Sequence, residues 1–216
     1  MTTWLSRITP AERRPDVAAD LADADRLHRR VMKLFPDNLG DNARASAAIL
    51  FRVDEDPHGT TILVQSQIEP DPSRLPDGYG QSIVRTLDPL LNALRPGLPL
   101  RYRLTANATR KLGRNTIAGK PLSVVPLNGP QAEEWWARKS HEAGLELRVL
   151  TIASLETAEG TKAGQHRDTQ FVRHARTRFD GTAVIADPQR LRTALETGIG
   201  RGKSYGCGLL SIAPSK

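Results

Sequence analysis

The feature that most restricts this fold is the order in which two hydrophobic periods follow each other along the second half of the chain. "GLPLRYRLTANATRKL" opens with strict alternation from Leu100 to Leu104, the period of a half-buried strand. "GPQAEEWWARKSHEAGLEL" switches to a helical pattern carrying Trp135, Trp136 and His141 and ends near Gly144. "LRVLTIASLETA" and "FVRHARTRFDGTAVIAD" read as two strands, with a hairpin turn expected at Asp180-Gly181. "DPQRLRTALET" is a second helix, with Leu191 and Leu195 four apart, and "CGLLSIAP" a last short strand stopped by Pro214. Strand, helix, strand, strand, helix, strand is the ferredoxin-like order.

The first half is a shorter version of that order. "TTWLSRITP" is a strand with Trp4, Ser6 and Ile8 on one face and Leu5 and Arg7 on the other. From Pro15 to Pro36, Val17, Leu21, Ala24, Leu27, Val31 and Leu34 keep a spacing of three or four, which predicts one amphipathic helix. "ASAAILFRVDEDPHGTTILVQSQIEP" gives a hairpin turning at Asp54–Gly59, and "PDGYGQSIVRTLDPLLNAL" reads as loop followed by a short, weak helix. The chain is therefore expected to be α+β: two tandem ferredoxin-like (RRM-like) domains, residues 1–94 and 99–216, joined by a Pro-containing linker at Leu94–Pro99. No internal sequence repeat accompanies the repeated order.

The C-terminal stretch "GIGRGKSYGCGLLSIAP" suggests a phosphate loop, with Gly200, Gly202 and Gly206 around Arg201 and Lys203. A nucleoside-triphosphate loop is excluded. The first glycine such a loop requires falls at Thr197, and the elements run helix–loop–strand rather than strand–loop–helix. A glycine-rich loop of this kind still admits anions through its backbone N–H groups; equally, spaced glycines make ordinary turns.

The sequence of 216 residues carries a formal charge of +7, which favours an anionic partner, nucleic acid first among them. Lys162, Arg167, Arg173, Arg176 and Arg178 crowd one segment with His166 and His174, opposed only by Asp168; Arg110, Lys111 and Arg114 form a second group. Either group is a groove-binding surface or a solvated face. Aromatic residues are only 5 %, which disfavours a stacking platform for unpaired bases and favours backbone and shape recognition of a duplex or hairpin. No run is long and apolar enough for a membrane span, the N-terminus lacks a signal-peptide core, and the lone Cys207 excludes an intramolecular disulfide or a cysteine cluster, so a cytoplasmic protein is expected.

Of the five histidines, none has metal-ligand spacing, and no cofactor or metal is expected. His58 sits in a "DPHGT" turn and His141 near a helix end. His28 differs: it lies in "DRLHRRVMKLFP" at the edge of the apolar face marked by Leu27 and Val31, beside Arg29 and Arg30, with Lys33 further on. A lone helical histidine is commonly structural. Among cations it also suits metal-free phosphodiester cleavage, because imidazole moves protons near neutral pH and cations hold charge growing on phosphorus.

"LHRRVMKLFP" after a first strand, "LVQSQIEPD", "LRYRLTANATRKL" and "IADPQRLRTALETGIGRGKSYGCGLLSIAP" together resemble the CasE family over the whole chain. These are repeat-processing endoribonucleases of type I-E CRISPR systems and subunits of the Cascade complex. The resemblance implies two tandem ferredoxin-like domains, a CRISPR repeat hairpin and other Cascade subunits as partners, and no membrane. It implies one metal-free cut at the 3′ base of the hairpin, in which the ribose 2′-hydroxyl attacks the neighbouring phosphate and leaves a 2′,3′-cyclic phosphate. His28 matches the family's catalytic histidine, Lys33 its helix lysine, and the glycine loop its RNA-backbone clasp. Relatives often carry a tyrosine about three residues before the histidine; here Asp25 and Arg26 stand there, which leaves Arg29 or Lys33 to assist. A non-catalytic hairpin-binding subunit of the same assembly and a small-molecule-binding protein of the same fold are the alternatives.

Overall fold

The computed structural model describes residues 2–40, 42–111, 124–163 and 169–215. In chain order the first half holds β1 (Trp4–Pro10), α1 (Pro15–Ala22), α2 (Ala24–Met32), a one-turn α3 (Ala43–Ser46), β2 (Leu50–Asp56), β3 (Gly59–Ser66), β4 (Gly80–Thr86) and α4 (Asp88–Asn92). The second half holds β5 (Pro99–Ala106), β6 (Thr109–Lys111), β7 (Val124–Pro126), α5 (Pro130–Glu142), β8 (Leu145–Ala163), β9 (Thr169–Ile185), α6 (Pro188–Thr197) and β10 (Leu210–Pro214). Two antiparallel four-stranded sheets result, ordered β2-β3-β1-β4 and β10-β5-β9-β8, with β6 and β7 in a separate ribbon. Each sheet keeps its first and third strands central and its second and fourth at the edges, so the fold is two tandem ferredoxin-like units. Among the described residues no helix is long and apolar enough to cross a membrane.

Each sheet buries one face under its helices. In the first, Val17, Leu27 and Val31 pack on Ile8, Phe51, Ile62 and Val64. In the second, α5 lays Trp135 and Trp136 against the sheet; the Trp136 ring lies 5.4 Å from Tyr102 and 5.7 Å from Phe179. α4 contributes Leu91 to this second core rather than to the first.

Three sequence expectations change. The segment read as loop after Gly78 contains β4, which pairs with β1 from Trp4↔Thr86 to Pro10↔Gly80. Its residues are exposed or half-exposed throughout, so no apolar alternation marks it, and its order comes from the ladder to β1. The single helix over 15–36 is broken at Asp23, whose extended backbone (φ −129°, ψ 116°) separates α1 from α2. Asp180-Gly181 is not a turn. It lies inside β9, flanked by Arg103 and Tyr102 on one side and Thr151 and Leu150 on the other. The strand needs glycine there because β8 bulges between Leu147 and Val149, and a Cβ at residue 181 would collide with the Val149 carbonyl. The β8–β9 connection falls in residues 164–168, outside those described.

The two units are joined through buried polar contacts. Arg52 on β2, 2 % exposed, holds Asp54 with two hydrogen bonds of 2.8 Å and donates to the carbonyls of Arg103 on β5 (3.2 Å) and of Leu209 just before β10 (3.1 Å). Gln65 on β3 donates to the Leu195 carbonyl of α6 at 2.6 Å. Removing one partner of a buried ion pair strands the other, a cost of about 3–5 kcal/mol. Arg52→Ala is expected to lower the unfolding free energy by about that much in urea titrations; a loss below about 1 kcal/mol, the range of an exposed pair, would show that Arg52 is not the clamp.

Candidate functional site

Asp23 sets where the His28 helix begins. Its carboxylate accepts from the N–H groups of Asp25 and Arg26, both at 2.9 Å, an N-cap that competes with continuing α1. The second unit then closes on this start: a Cβ on Gly160 of β8 would lie 2.9 Å from Asp25 N, so β8 passes directly against the α2 N-terminus. Leu27 and Val31 go into the core, and His28, on the helix edge, is half-buried. Its imidazole stacks 6.5 Å from the Phe51 ring of β2, and on another side it lies 6.5 Å from the ring of Tyr205.

Tyr205 belongs to the glycine segment, which runs from α6 to β10 in the helix–loop–strand order expected from sequence. A 3-10 turn, Lys203–Tyr205, is bounded by left-handed Gly202 (φ 74°) and Gly206 (φ 77°). Positive φ at both ends is what allows so tight a turn, and L side chains rarely adopt it. The spaces left by missing side chains are filled by protein: a Cβ on Gly200 would meet Trp135 at 3.2 Å, and one on Gly206 would meet Phe51 at 3.4 Å. These glycines thus seat the loop on both units. Lys203 Nζ donates to the Thr197 carbonyl at 2.7 Å, and burial with Arg44 nearby holds its pKa below the ordinary value. Arg201 stays exposed, and its backbone bridges to Asn107 just past the end of β5.

That bridge brings in a second histidine. His174, half-buried on β9, also stacks on Tyr205, at 4.8 Å, and shares a 2.9 Å hydrogen bond with the Asn107 amide through Nδ1. Burial, and secondarily the Arg201 charge, lower its pKa. Burial and then Asp25 raise that of the Tyr205 phenol, which therefore stays protonated.

The cations singled out in the sequence do not all converge here. Arg29 pairs with Asp25 (3.1 Å), and Lys33, past the helix end, faces Asp37 (3.9 Å); both are largely exposed. Arg173 pairs with Glu159 across the ribbon at 3.3 Å. Arg176 Nε donates to the Glu156 carbonyl and lines, with Leu27, Phe51 and Tyr205, a cavity of about 120 Å³ beside α2. Arg178 pairs with Asp180 (2.8 Å), which also binds Arg103 (2.6 Å), so it belongs to the network joining the units. Lys162 lies near the end of β8, opposite Gln170. Arg110 and Lys111 are exposed on β6, in the separate β6–β7 ribbon. Arg114, His166, Arg167 and Asp168 lie outside the described residues.

Sequence reasoning missed Tyr205 as a neighbour of His28, and with it the His174–Asn107 pair. The only signal was compositional: Tyr205 is the single aromatic residue in the glycine segment. The site can do proton-transfer chemistry, with two imidazoles around one phenol at the seam of the units and cations nearby.

A family profile described as CRISPR associated protein matches residues 3–214. The CRISPR-associated endoribonuclease Cse3 of Thermus thermophilus is 32 % identical over 98 % of this chain and the whole of that protein. The Cascade subunit CasE of Escherichia coli K12 is 28 % identical over 89 % of this chain and 92 % of its own. A solved structure of Thermus thermophilus Cse3 bound to an RNA representing a pre-cleavage complex superposes with a TM-score of 0.79 at 27 % identity, covering 99 % of this chain and all of that one.

The Asp23 cap is testable apart from any substrate. Asp23→Ala is expected to cost about 1 kcal/mol in thermal or urea melts and Asp23→Asn far less, since asparagine also caps. Equal losses for the two would show that the cap does not define α2.

Proposed function

The chain belongs to the CasE family of CRISPR-associated proteins, and on that premise we propose that it is an endoribonuclease that binds the hairpin of CRISPR repeat RNA and cuts it once at the hairpin's 3′ base. It then remains with the mature guide RNA as a subunit of a Cascade complex. The observation that carries this reading is the place of His28: a half-buried imidazole at the seam, where the long β8–β9 ribbon and the glycine loop of the second unit close on the helix of the first.

The chemistry follows from the groups present. The ribose 2′-oxygen of the substrate attacks the adjacent phosphorus, and the bond to the 5′-oxygen breaks. The leaving oxygen needs a proton as the bond fails, and His28 supplies it. Arg29 and Lys33 are largely exposed; the Lys33–Asp37 pair is a surface pair worth about 0–1 kcal/mol, so a phosphate can replace Asp37 at little cost, whereas Asp25, the partner of Arg29, is buried and keeps that guanidinium placed beside His28. Their charges then offset the negative charge growing on phosphorus. Lys162, Arg173 and Arg176 on the ribbon, together with Arg167, hold the RNA backbone; Arg201, Lys203, Gly200 and Gly202 of the loop and Arg110 and Lys111 of β6 extend that surface. This reaction needs no metal-bound water, because the nucleophile is the substrate's own hydroxyl.

His28→Ala is expected to lower the single-turnover rate by about 10²–10⁴-fold with RNA binding nearly intact. Cleavage should persist in EDTA, leave a cyclic phosphate, and vanish when the nucleotide upstream of the cut is 2′-deoxy. Cutting of the deoxy substrate would make water the nucleophile and overturn the mechanism; tight binding with no cleavage by the wild-type protein would make the chain a non-catalytic hairpin-binding subunit.

The cations are separable by salt dependence. Arg173→Ala with Arg176→Ala is expected to flatten the plot of log affinity against log salt by about 0.7–0.9 per lost phosphate contact. Arg178→Ala is expected to affect stability more than binding, because Asp180 already holds it. An unchanged slope in the double variant would show that the ribbon arginines are only solvated.

A further inference from the structure

Phosphodiester transesterification moves two protons, and the reading above gives a residue to only one. The 2′-hydroxyl must lose its proton as the 2′-oxygen bonds to phosphorus. Two imidazoles approach the Tyr205 ring, His28 of the first unit with ring centroids 6.5 Å apart and His174 of the second with ring centroids 4.8 Å apart. Their separation is therefore bounded by the sum of those distances. Within that limit both rings can reach one phosphodiester, with a hydrogen bond of about 2.6–3.2 Å from each to its attacking and leaving oxygens, which lie on opposite sides of phosphorus.

We propose that His174 is the general base of the cleavage, taking the 2′-hydroxyl proton on Nε2 while its Nδ1 is held by Asn107. The inference rests on the RNA-cleavage reading above. In balance, the O2′–H proton passes to His174 and O2′–P forms; P–O5′ breaks and O5′ takes a proton from His28. Exchange with water restores both rings. Tyr205, which keeps its proton, packs beside both rings.

Three observations support the assignment. First, Asn107 is 5 % exposed and its Oδ1 is buried without a hydrogen-bond partner. A half-turn of the amide, which exchanges atoms that look alike, places that oxygen on Nδ1–H and leaves the Nε2 lone pair for the substrate. A base oriented through its second nitrogen by an amide is the arrangement nucleophilic catalysis uses elsewhere. Second, the groups around His174 favour the neutral ring. Arg201 is the charged neighbour from the loop, Arg176 lies two residues along the same face of β9, Ala158 stands opposite on β8, and Tyr205 and Asn107 are uncharged. Third, β5 ends at Ala106, so β9 beyond Thr177 pairs only with β8 and its His174 face is left to the loop and α2.

Single-turnover cleavage of a repeat hairpin tests this. His174→Gln is expected to lose about 10²–10⁴-fold in rate while binding RNA as the wild type does. The limb of the pH–rate profile that rises with pH, expected below the ordinary imidazole value of 6.5, should disappear. A substrate with sulfur at the bridging 5′ position, whose leaving group needs no proton, should restore His28→Gln and leave His174→Gln slow. Asn107→Asp should move the rising limb to higher pH, because a carboxylate on Nδ1 favours the charged ring. The proposal is overturned if His174→Gln cuts at the wild-type rate, or if the sulfur substrate rescues it. Should His174→Gln fail to bind RNA, Asn107→Asp decides, and an unmoved limb overturns the proposal. Absence of cleavage by the wild type would instead sink the endoribonuclease reading itself.

Discussion

The guanidinium of Arg52 is the contact on which the rest of the molecule depends. It is buried, and a buried cation is tolerated only when its donors are used. Asp54 takes two, and carbonyls of β5 and of the residue before β10 take two more, four of its five donors. The satisfied geometry requires both sheets at one mutual position. From Asp54 the charges continue through Arg103 and Asp180 to Arg178, alternating in sign along the seam. With Gln65 fastened to α6, the first sheet is tied to the second at its strands and at its helix layer.

That fixed position gives the loop and the ribbon their targets. The glycine segment leaves α6 in the second unit and sets Tyr205 beside a helix of the first. β8 outruns the sheet it belongs to and passes over the start of α2 at Gly160. The site is consequently shared: His28 and Phe51 come from one unit, and Tyr205, His174 and Asn107 from the other. Neither sheet alone carries the constellation. The glycines expected to admit phosphate also have a prior duty, since several open directly onto Trp135 and Phe51.

The positive balance of the chain is distributed in the same economical way. Three of the arginines singled out from sequence, Arg29, Arg173 and Arg178, already have carboxylate partners, some in the seam and some at the surface. Surface pairs such as Arg173–Glu159 are weak and exchangeable, so they keep long side chains ordered without withholding them from a polyanion. Pairs within the seam, Arg178 with Asp180 above all, are committed to the architecture. Charge counting along a sequence cannot separate the two classes, because partners such as Asp180 and Arg103 meet only across a sheet.

By itself the sequence determined whatever is written as a local period or a local chemical preference. The alternation in β1 and β5, the apolar stripes of α2, α5 and α6, and the repeated order of elements were legible because each buries one face, and burial imposes the period. His28 at the edge of its stripe was legible for the same reason. Tertiary structure decided the features whose cause lies elsewhere in the chain. β4 has no buried face, so only the free edge of β1 makes it a strand. Asp180-Gly181 has the composition of a turn, but a bulge in the neighbouring strand uses its missing side chain. Asp23 ends one helix and caps the next, a choice that side-chain spacing over 15–36 does not express. The meeting of His28, Tyr205 and His174 depends on how two sheets dock. Docking is set by a few buried polar contacts between distant residues, and such contacts have no period for a sequence to display.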